Sequence, residues 1–402
     1  MTTTPDTEVR KKRILLALVG ALFIFSFAFV LNSNQFIRLK SDIYLRWYAT
    51  EKLFSEGRNL YDERNGQEVD DIVYGAASGL EPGFYYPAHL LLFTGPLTLL
   101  PYKYAHLLWT ITIQFFYLIA IWLMINHFQW PGNINGETIF LVLCALFLPH
   151  LQHTIWGQFN TIGVLSLVGC YLALHHQKLG WAGILATGLT IKPHGYILTL
   201  VFLLFWAAIV RSRWRFLTGF LVTGAILWLI PALWQPMWIV DFWLSLDNYI
   251  PVSSVIDSLW NPFNLISIVL VMGTLFILFR QRYADHRSTA FLGCLLLSLA
   301  VWSLVVPIWG MFHILVFPPF VIPLLFFYRH IYGRYYRPIV YVFLLLYAGG
   351  LFAFLLGLSR PEWYGLHITW SEAVYNGLLP IFVICLIWPM LFRSTEPTKE
   401  LL

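Results

Sequence analysis

The stretch YAHLLWTITIQFFYLIAIWLMIN, residues 104–126, contains no Asp, Glu, Lys or Arg. An α-helix rises about 1.5 Å per residue, so these residues form a helix of roughly 35 Å, which is long enough to cross the hydrocarbon core of a bilayer. A helix that is apolar on every side is not expected on the surface of a water-soluble domain. The stretch therefore predicts a transmembrane helix.

The whole chain has the same apolar character. Of its 402 residues, 59% are hydrophobic and only 11% are charged, where about 25% is usual in a soluble protein. An aromatic content of 18% suits a protein with belts of Trp and Tyr at both membrane surfaces. The net charge of +5 is spread over separate clusters and forms no basic stripe, so we expect no nucleic-acid partner.

Further apolar segments recur to the C-terminus. They cover residues 14–31, 83–100, 104–126, 137–155, 160–176, 181–191, 195–210, 216–234, 261–279, 288–306, 312–328, 338–358 and 374–392. No small-residue cleavage site follows the first segment, which we interpret as an uncleaved helix and not as a signal peptide. The residues around Lys192-Pro193 separate two short segments and predict a broken helix, which membranes tolerate only where protein or a wet cavity surrounds it.

Clusters of Lys and Arg predict the orientation, because they concentrate in cytoplasmic loops. These clusters are Arg10–Arg13, Arg211–Arg215, Arg280–Arg287, Arg329–Arg337 and the tail with Arg393. Pairs of apolar segments separate them, so all can share one side if 83–100 is interfacial or re-entrant. We expect an all-α, polytopic transmembrane bundle of about 12 spans, with both termini in the cytoplasm.

The chain is expected to be a single integral membrane domain over residues 1–402. Its predicted parts are a first transmembrane helix at 14–31, a first extracytoplasmic loop at 32–82, the remaining bundle at 83–392 and a cytoplasmic tail at 393–402. The first loop holds nine of the 20 acidic residues. We expect it to form one or two amphipathic helices able to lie flat on the membrane. Their predicted apolar side consists of Tyr44, Trp47, Tyr48, Leu53 and Phe54.

Asp42 follows the first apolar segment after only a few residues. A carboxylate at the membrane face can reach both a lipid headgroup and an aqueous acceptor, which is the access that a general base needs. One loop aspartate is also compatible with an ordinary solvated residue or a helix cap. Taken alone, Asp42 does not decide between these interpretations.

The segment Trp156-Gly157-Gln158-Phe159-Asn160 supplies two amide side chains between apolar segments on the predicted outer side. Amides donate and accept hydrogen bonds and therefore suit hydroxyl-rich ligands. A helix-capping turn is the alternative, because Asn is a favourable cap.

Two further motifs carry basic side chains. Lys192 lies between long apolar runs, where a charge is costly and is a functional candidate by default; we expect it to meet an anion such as a lipid phosphate. The alternative is a lysine that extends to the membrane interface. His313 ends the turn Pro307–His313 and could bind a phosphate oxygen or move a proton, although a histidine in this position, taken alone, more often has a structural role at the interface.

The order of these motifs resembles glycosyltransferase family 87, a group of polytopic mannosyltransferases in the GT-C superfamily. The residues that carry the resemblance are Asp42, Gly57-x-Asn59-Leu60-Tyr61, Tyr86-Pro87, Gly157-Gln158-x-Asn160, Ala182-Gly183…Lys192-Pro193 and Pro307…His313. They run from about residue 40 to about residue 330. The sequence departs from the family pattern at Tyr86-Pro87-Ala88, where a Pro-Pro pair is commoner, and at 127–136, which lacks the usual basic residues.

The resemblance implies an inverting hexosyltransferase, usually of mannose, that takes its sugar from a polyprenyl-phosphate donor. It implies Asp42 as the catalytic base and a lipid-linked or glycan acceptor on the extracytoplasmic face of the plasma (inner) membrane. Neither a metal, a cofactor nor a nucleotide sugar is expected. The donor phosphate would be bound by Lys192, His313, Arg46 and His194. Sugar or acceptor would be bound by Gln158, Asn160, Tyr85, Tyr86 and Tyr61.

Other function classes stay open at the level of sequence. A lipid or solute transporter would use Lys192 in its pathway, but no pair of interrupted helices recurs in two halves of the chain, as many transporters show. A lipid-linked oligosaccharide ligase or polymerase is a nearer enzymatic alternative. In a non-catalytic scaffold of a membrane complex, Asp42 and Lys192 would both be dispensable.

Overall fold

The computed structural model describes residues 41–75, 83–128, 134–249, 262–305, 313–327, 329–359 and 373–392, together with isolated positions between 13 and 28. These residues form helices and no strand, so the predicted all-α class is confirmed for the part of the chain described. The predicted first span at 14–31 lies largely outside these residues, and the predicted tail at 393–402 lies wholly outside them.

Among the described residues, nine helices lead from the first loop to the middle of the chain. They are α1 (Asp42–Glu56), α2 (Glu63–Tyr74), α3 (Leu91–Leu97), α4 (Tyr102–His127), α5 (Ile134–Ala145), α6 (Leu148–Trp156), α7 (Asn160–His175), α8 (Leu179–Ala186) and α9 (Ile197–Ala208). The 3₁₀ turns among them are Ala88–Leu90, Thr187–Ile191 and Pro193–Gly195.

The helices of the C-terminal half follow, with their bounds. They are α10 (Trp214–Ala232), α11 (Trp238–Tyr249), α12 (Pro262–Arg280), α13 (Thr289–Val305), α14 (Phe317–Phe327), α15 (Arg329–Tyr332), α16 (Tyr336–Ser359) and α17 (Leu379–Phe392). The 3₁₀ turns Arg211–Arg213, His313–Val316 and Gly333–Tyr335 and the π-helical turn Ala373–Leu378 precede four of them.

Within the described residues, four helical stretches are long and apolar enough to cross a membrane. They are Tyr102–His127, Arg211–Ala232, Arg329–Phe352 and Ala373–Leu391. Shorter apolar helices accompany them, among them Ala88–Leu97 and Asn160–His175. These lengths support a membrane protein with several spans, but they do not confirm about 12 of them.

Prolines accompany two breaks between helices. Segment 137–155 forms two helices, α5 and α6, because Phe147 is extended and Pro149 lies in the first turn of the next helix, a place where proline is tolerated. The predicted break at Lys192 is confirmed. Lys192 has φ −129° and ψ 72°, as expected before a proline, whose ring disfavours helical geometry in the preceding residue.

The predicted helices of the first loop are present as α1 and α2. Tyr44 and Leu53 are buried and Trp47 is half-buried, as expected for the apolar side. Phe54 differs: it is 42% exposed, and its ring packs edge-on against Trp234 at 5.7 Å.

An apolar cluster joins α1 to the bundle. Ile43 and Leu60 of the first loop are buried in one cluster with Trp109 of α4, Phe159 and Ile191. Burial of apolar surface stabilises this contact by about 25 cal/mol per Å². The cluster fixes the start of α1 directly against the turns that carry Gln158 and Lys192.

Candidate active site

One hydrogen-bonded chain joins the candidate residues of three separate segments. The amide nitrogen of Gln158 donates to Oδ2 of Asp42. Lys192 Nζ donates to Oε1 of Gln158 at 2.6 Å and to Oδ1 of Asn160 at 2.8 Å. Gln158, Asn160 and Lys192 are all buried, and Asp42 is half-buried. The structure therefore brings four predicted site residues together.

Gly157 determines where Gln158 lies. It ends α6 in the left-handed region, with φ +63°, and a Cβ atom there would meet Cγ2 of Ile43 at 2.8 Å. Only glycine combines this backbone conformation with so close an approach. The carbonyl of Gly157 also accepts a hydrogen bond of 2.8 Å from the indole of Trp109, which holds the turn against α4.

Lys192 owes its position to the break before Pro193. The break lies between the apolar segments Leu179–Ile191 and Ile197–Ala208, so the lysine belongs to their connection. Burial lowers the pKa of Lys192 to about 7, an effect that the negative charge of Asp42 opposes and the positive charge of Arg46 reinforces. Near neutral pH the amine of Lys192 can therefore exist in either its protonated or its neutral form.

A second cation and an aromatic ring complete the cluster. The guanidinium of Arg46 lies 4.9 Å from the centre of the Tyr86 ring, and Lys192 Nζ lies 5.8 Å from the same centre. Arg46 also donates to the backbone carbonyl of its neighbour Asp42 at 3.1 Å. The hydroxyl of Tyr61 donates to the backbone carbonyl of Tyr86 at 2.9 Å, which anchors the backbone that carries this ring.

Two predicted residues take other positions, and a third has a side chain that the structure does not describe. His194 packs edge-on against Tyr86 with ring centres 6.3 Å apart, so it borders the cluster. The ring of Tyr85 folds back over Gly83, where an added Cβ would meet it. The side chain of His313 lies outside the described part of the structure, and its predicted role stays a prediction.

A polar network not predicted from the sequence links the first loop to α11. Gln235 donates to Asn59 Oδ1 at 2.6 Å and to Asp241 Oδ2 at 2.8 Å, and it accepts from the backbone N–H of Leu60 at 3.1 Å. Asn59 in turn donates to Asp241 at 2.8 Å. The sequence marked Asn59 only as part of a short motif, and it gave no sign that Gln235 and Asp241 are its partners.

The site combines a carboxylate with two cations in a partly buried space. Such a set can accept a proton through Asp42 while Lys192 and Arg46 stabilise a nearby negative charge. Among the described residues, no group of three or more His, Cys, Asp or Glu side chains is placed to hold a metal ion.

Comparison with known proteins identifies the family. The model of glycosyltransferase family 87 matches residues 84–314, which is more than half of the chain. The matched region contains Gln158, Asn160 and Lys192, whereas Asp42 precedes it. No curated protein and no solved structure matched the chain. On the strength of the family match and of the apolar helices that surround the site, the chain belongs to glycosyltransferase family 87, and it is a membrane glycosyltransferase.

Proposed function

We propose that the protein transfers a hexose, with mannose as the expected sugar, from a polyprenyl-phosphate donor to a lipid-linked or glycan acceptor. The observation that carries this proposal is the chain from Asp42 through Gln158 to Lys192, which puts a base beside a cation in one site. The resemblance to family 87 supplies the donor class, because its members use polyprenyl-phosphate sugars.

Asp42 acts as the general base of the proposed reaction. Its Oδ2 accepts from Gln158, which leaves Oδ1 for the hydroxyl of the acceptor. As that proton moves to Oδ1, the acceptor oxygen attacks the anomeric carbon, and the bond from this carbon to the phosphate oxygen breaks. The new glycosidic bond forms with inversion, and a polyprenyl phosphate leaves.

The leaving phosphate gains negative charge, which Lys192 and Arg46 are placed to stabilise. Fixed positive groups in a site sheltered from water are more effective than the same charges in bulk water. Their positive charge makes a divalent metal unnecessary for the proposed step. Asn160 accepts from Lys192, and with Tyr86 it would orient the donor, while His194 and His313 are further candidates for the phosphate.

The proposal also includes an orientation of the protein in the membrane and a number of spans. Basic clusters favour an orientation with both termini in the cytoplasm and the Asp42 site on the extracytoplasmic face of the inner membrane. Residues 1–402 form one integral membrane domain in this proposal, with about 12 spans. Support comes from the four long apolar helices and the shorter ones between them.

The test uses the purified full chain in proteoliposomes that contain membrane glycolipid acceptors. Three labelled donors are compared: polyprenyl-phosphate mannose, polyprenyl-phosphate glucose and nucleotide-linked mannose. The proposal predicts covalent transfer from a polyprenyl-phosphate sugar only, with mannose preferred. Transfer from the nucleotide sugar, or movement of label across the bilayer without a covalent product, would contradict it.

A further inference from the structure

A groove of about 740 Å³ lies at the beginnings of α8 and α10. Three basic side chains, two tryptophans and two hydroxyl side chains line it, and no acidic residue does. The lining residues are Gln177, Lys178, Leu179, Gly180, Trp181, Arg211, Ser212, Trp214, Arg215 and Thr218. Its volume is in the range of sites that bind small molecules, about 300–1,000 Å³.

The groove lies at the opposite end of these helices from the candidate active site. The segment Leu179–Ile191 begins at the groove and ends one residue before Lys192, a length of roughly 20 Å. Helix α10 likewise begins at the groove, and its far end leads to Gln235, which binds Asn59. The groove is therefore a separate site.

Close packing of α8 and α10 builds the groove. A Cβ on Gly183 would lie 2.0 Å from the backbone oxygen of Phe216, and one on Gly219 would lie 2.2 Å from that of Gly180. The two backbones are thus in direct contact, and both helices start beside each other. Their N-termini add partial positive charge to that of the side chains.

Arg213 lies between Arg211 and Arg215 in the sequence, but its surroundings differ from those of the basic residues that line the groove. Arg213 donates to the carbonyls of Trp206, Arg282 and Ala284 and stacks on the Trp206 ring at 4.2 Å, so it has a structural role. Arg211, Arg215 and Lys178 are exposed, and none of them is in an ion pair within the described part of the chain.

The two tryptophans indicate the depth of the groove in the membrane. Trp181 is 62% exposed and Trp214 is 53% exposed, and each lies at the start of an apolar helix. Exposed Trp at the ends of transmembrane helices occupies the headgroup level of a bilayer. A basic groove at this level, between two membrane helices, matches an anionic headgroup in both charge and position.

We infer that this groove binds the phosphate of an anionic phospholipid headgroup, with Lys178, Arg211 and Arg215 as the charged contacts and Ser212 as a hydroxyl donor. The tryptophans would flank the glycerol region and the upper acyl chains. This inference does not rest on the proposed glycosyl transfer.

Native mass spectrometry of the full chain in neutral detergent tests the inference. The protein is titrated with phosphatidylglycerol, with phosphatidylcholine of the same acyl chains, and with inorganic phosphate. We expect one phosphatidylglycerol to bind in preference to phosphatidylcholine and phosphate not to displace it. In Lys178→Gln/Arg215→Gln, half-saturation should need at least about tenfold more phosphatidylglycerol, because each basic residue contributes to anionic-lipid binding.

The control is Arg280→Gln, which removes an exposed arginine outside the groove and should bind as the wild type does. Lys178→Arg/Arg215→Lys keeps both charges and should also bind normally. Ser212→Glu provides an independent variant, because it places a negative charge in the groove and should weaken binding too. Equal binding of phosphatidylcholine, displacement by inorganic phosphate, or the same loss in Arg280→Gln as in the groove variants would overturn the inference.

Discussion

The ammonium of Lys192 donates to the side-chain oxygen of Gln158 over 2.6 Å. The amide nitrogen of the same glutamine donates to the carboxylate of Asp42. The buried amide of Gln158 therefore lies between the Asp42 carboxylate and the Lys192 ammonium and joins them by hydrogen bonds. This hydrogen-bonded chain brings the proposed base and the proposed phosphate-binding cation into one site.

Replacement of the proposed base should abolish most of the activity. Asp42→Asn keeps the size and one oxygen of the side chain but cannot take a proton at neutral pH. General-base catalysis contributes about 10²–10⁴-fold, so we expect the rate of hexose transfer to fall by at least about 100-fold. The rate is measured with labelled polyprenyl-phosphate mannose in proteoliposomes.

The matched control for this variant is Asp71→Asn, which changes an exposed aspartate of α2 in the same loop. It should keep the wild-type rate. Near-normal turnover in Asp42→Asn would exclude Asp42 as the base, and equal losses in both variants would assign the effect to the loop and not to the carboxylate.

Activity should depend on the protonation of Lys192. The pKa of this lysine is about 7 because the side chain is buried, so it loses its positive charge as the pH rises through neutrality. We expect kcat/KM, which reports the free enzyme, to fall above about pH 7. Bound donor phosphate favours the charged lysine and should move the fall in kcat to higher pH.

Lys192→Arg separates this effect from other titrations. Arginine stays charged throughout the accessible range, so the alkaline fall in kcat/KM should move up by about two pH units or more. An unchanged pH profile in Lys192→Arg would show that another group causes the fall. Lys192→Met should raise the KM for the donor much more than that for the acceptor.

Gln158 should act as a positioning residue. Gln158→Leu has a similar volume but removes the hydrogen bonds to Asp42 and Lys192. Hydrogen bonds to charged groups contribute about 1.5–3 kcal/mol each, so we expect kcat/KM to fall by about 10- to 100-fold. Gln158→Glu adds a negative charge beside Lys192 and should move the alkaline fall to higher pH. A purely structural role for Gln158 would reduce activity without that shift.

The hydrogen bonds that Gln235 makes to Asn59, Leu60 and Asp241 should stabilise the packing of the first loop against the rest of the protein. Gln235→Leu leaves the backbone N–H of Leu60 without its acceptor and removes a donor from both Asn59 and Asp241. An unsatisfied buried polar group costs about 1–3 kcal/mol, so the midpoint of thermal unfolding should fall. Gln67→Leu, an exposed change in α2, should leave it almost unchanged. Equal midpoints for the two variants would show that the network does not stabilise the loop.

Local chemistry explains which parts of the fold could be predicted. Lys192-Pro193 predicted the broken helix because proline constrains the residue before it, and the apolar side of α1 was readable from its helical spacing. The partial exposure of Phe54 and its contact with Trp234 could not be predicted, because Trp234 is remote in the sequence.

The contacts between the site residues were harder to predict than the identity of these residues. Each of Gln158, Asn160 and Lys192 occurs in a short motif, and the family pattern named them. The sequence assigned Gln158 to sugar binding, whereas both ends of its amide contact protein side chains. Gln235 and Asp241 were missed because their partner Asn59 lies more than 170 residues away, and no local pattern records such a contact.

Mass spectrometry of membrane glycolipids tests the central claim most directly. Cells that contain the wild-type chain, Asp42→Asn or Asp71→Asn at equal membrane levels are compared with cells that lack the chain. We predict a glycolipid extended by one hexose with the wild type and with Asp71→Asn, and its absence with Asp42→Asn and in cells without the chain. The same extended glycolipid at undiminished level with Asp42→Asn would contradict the proposed role of the site.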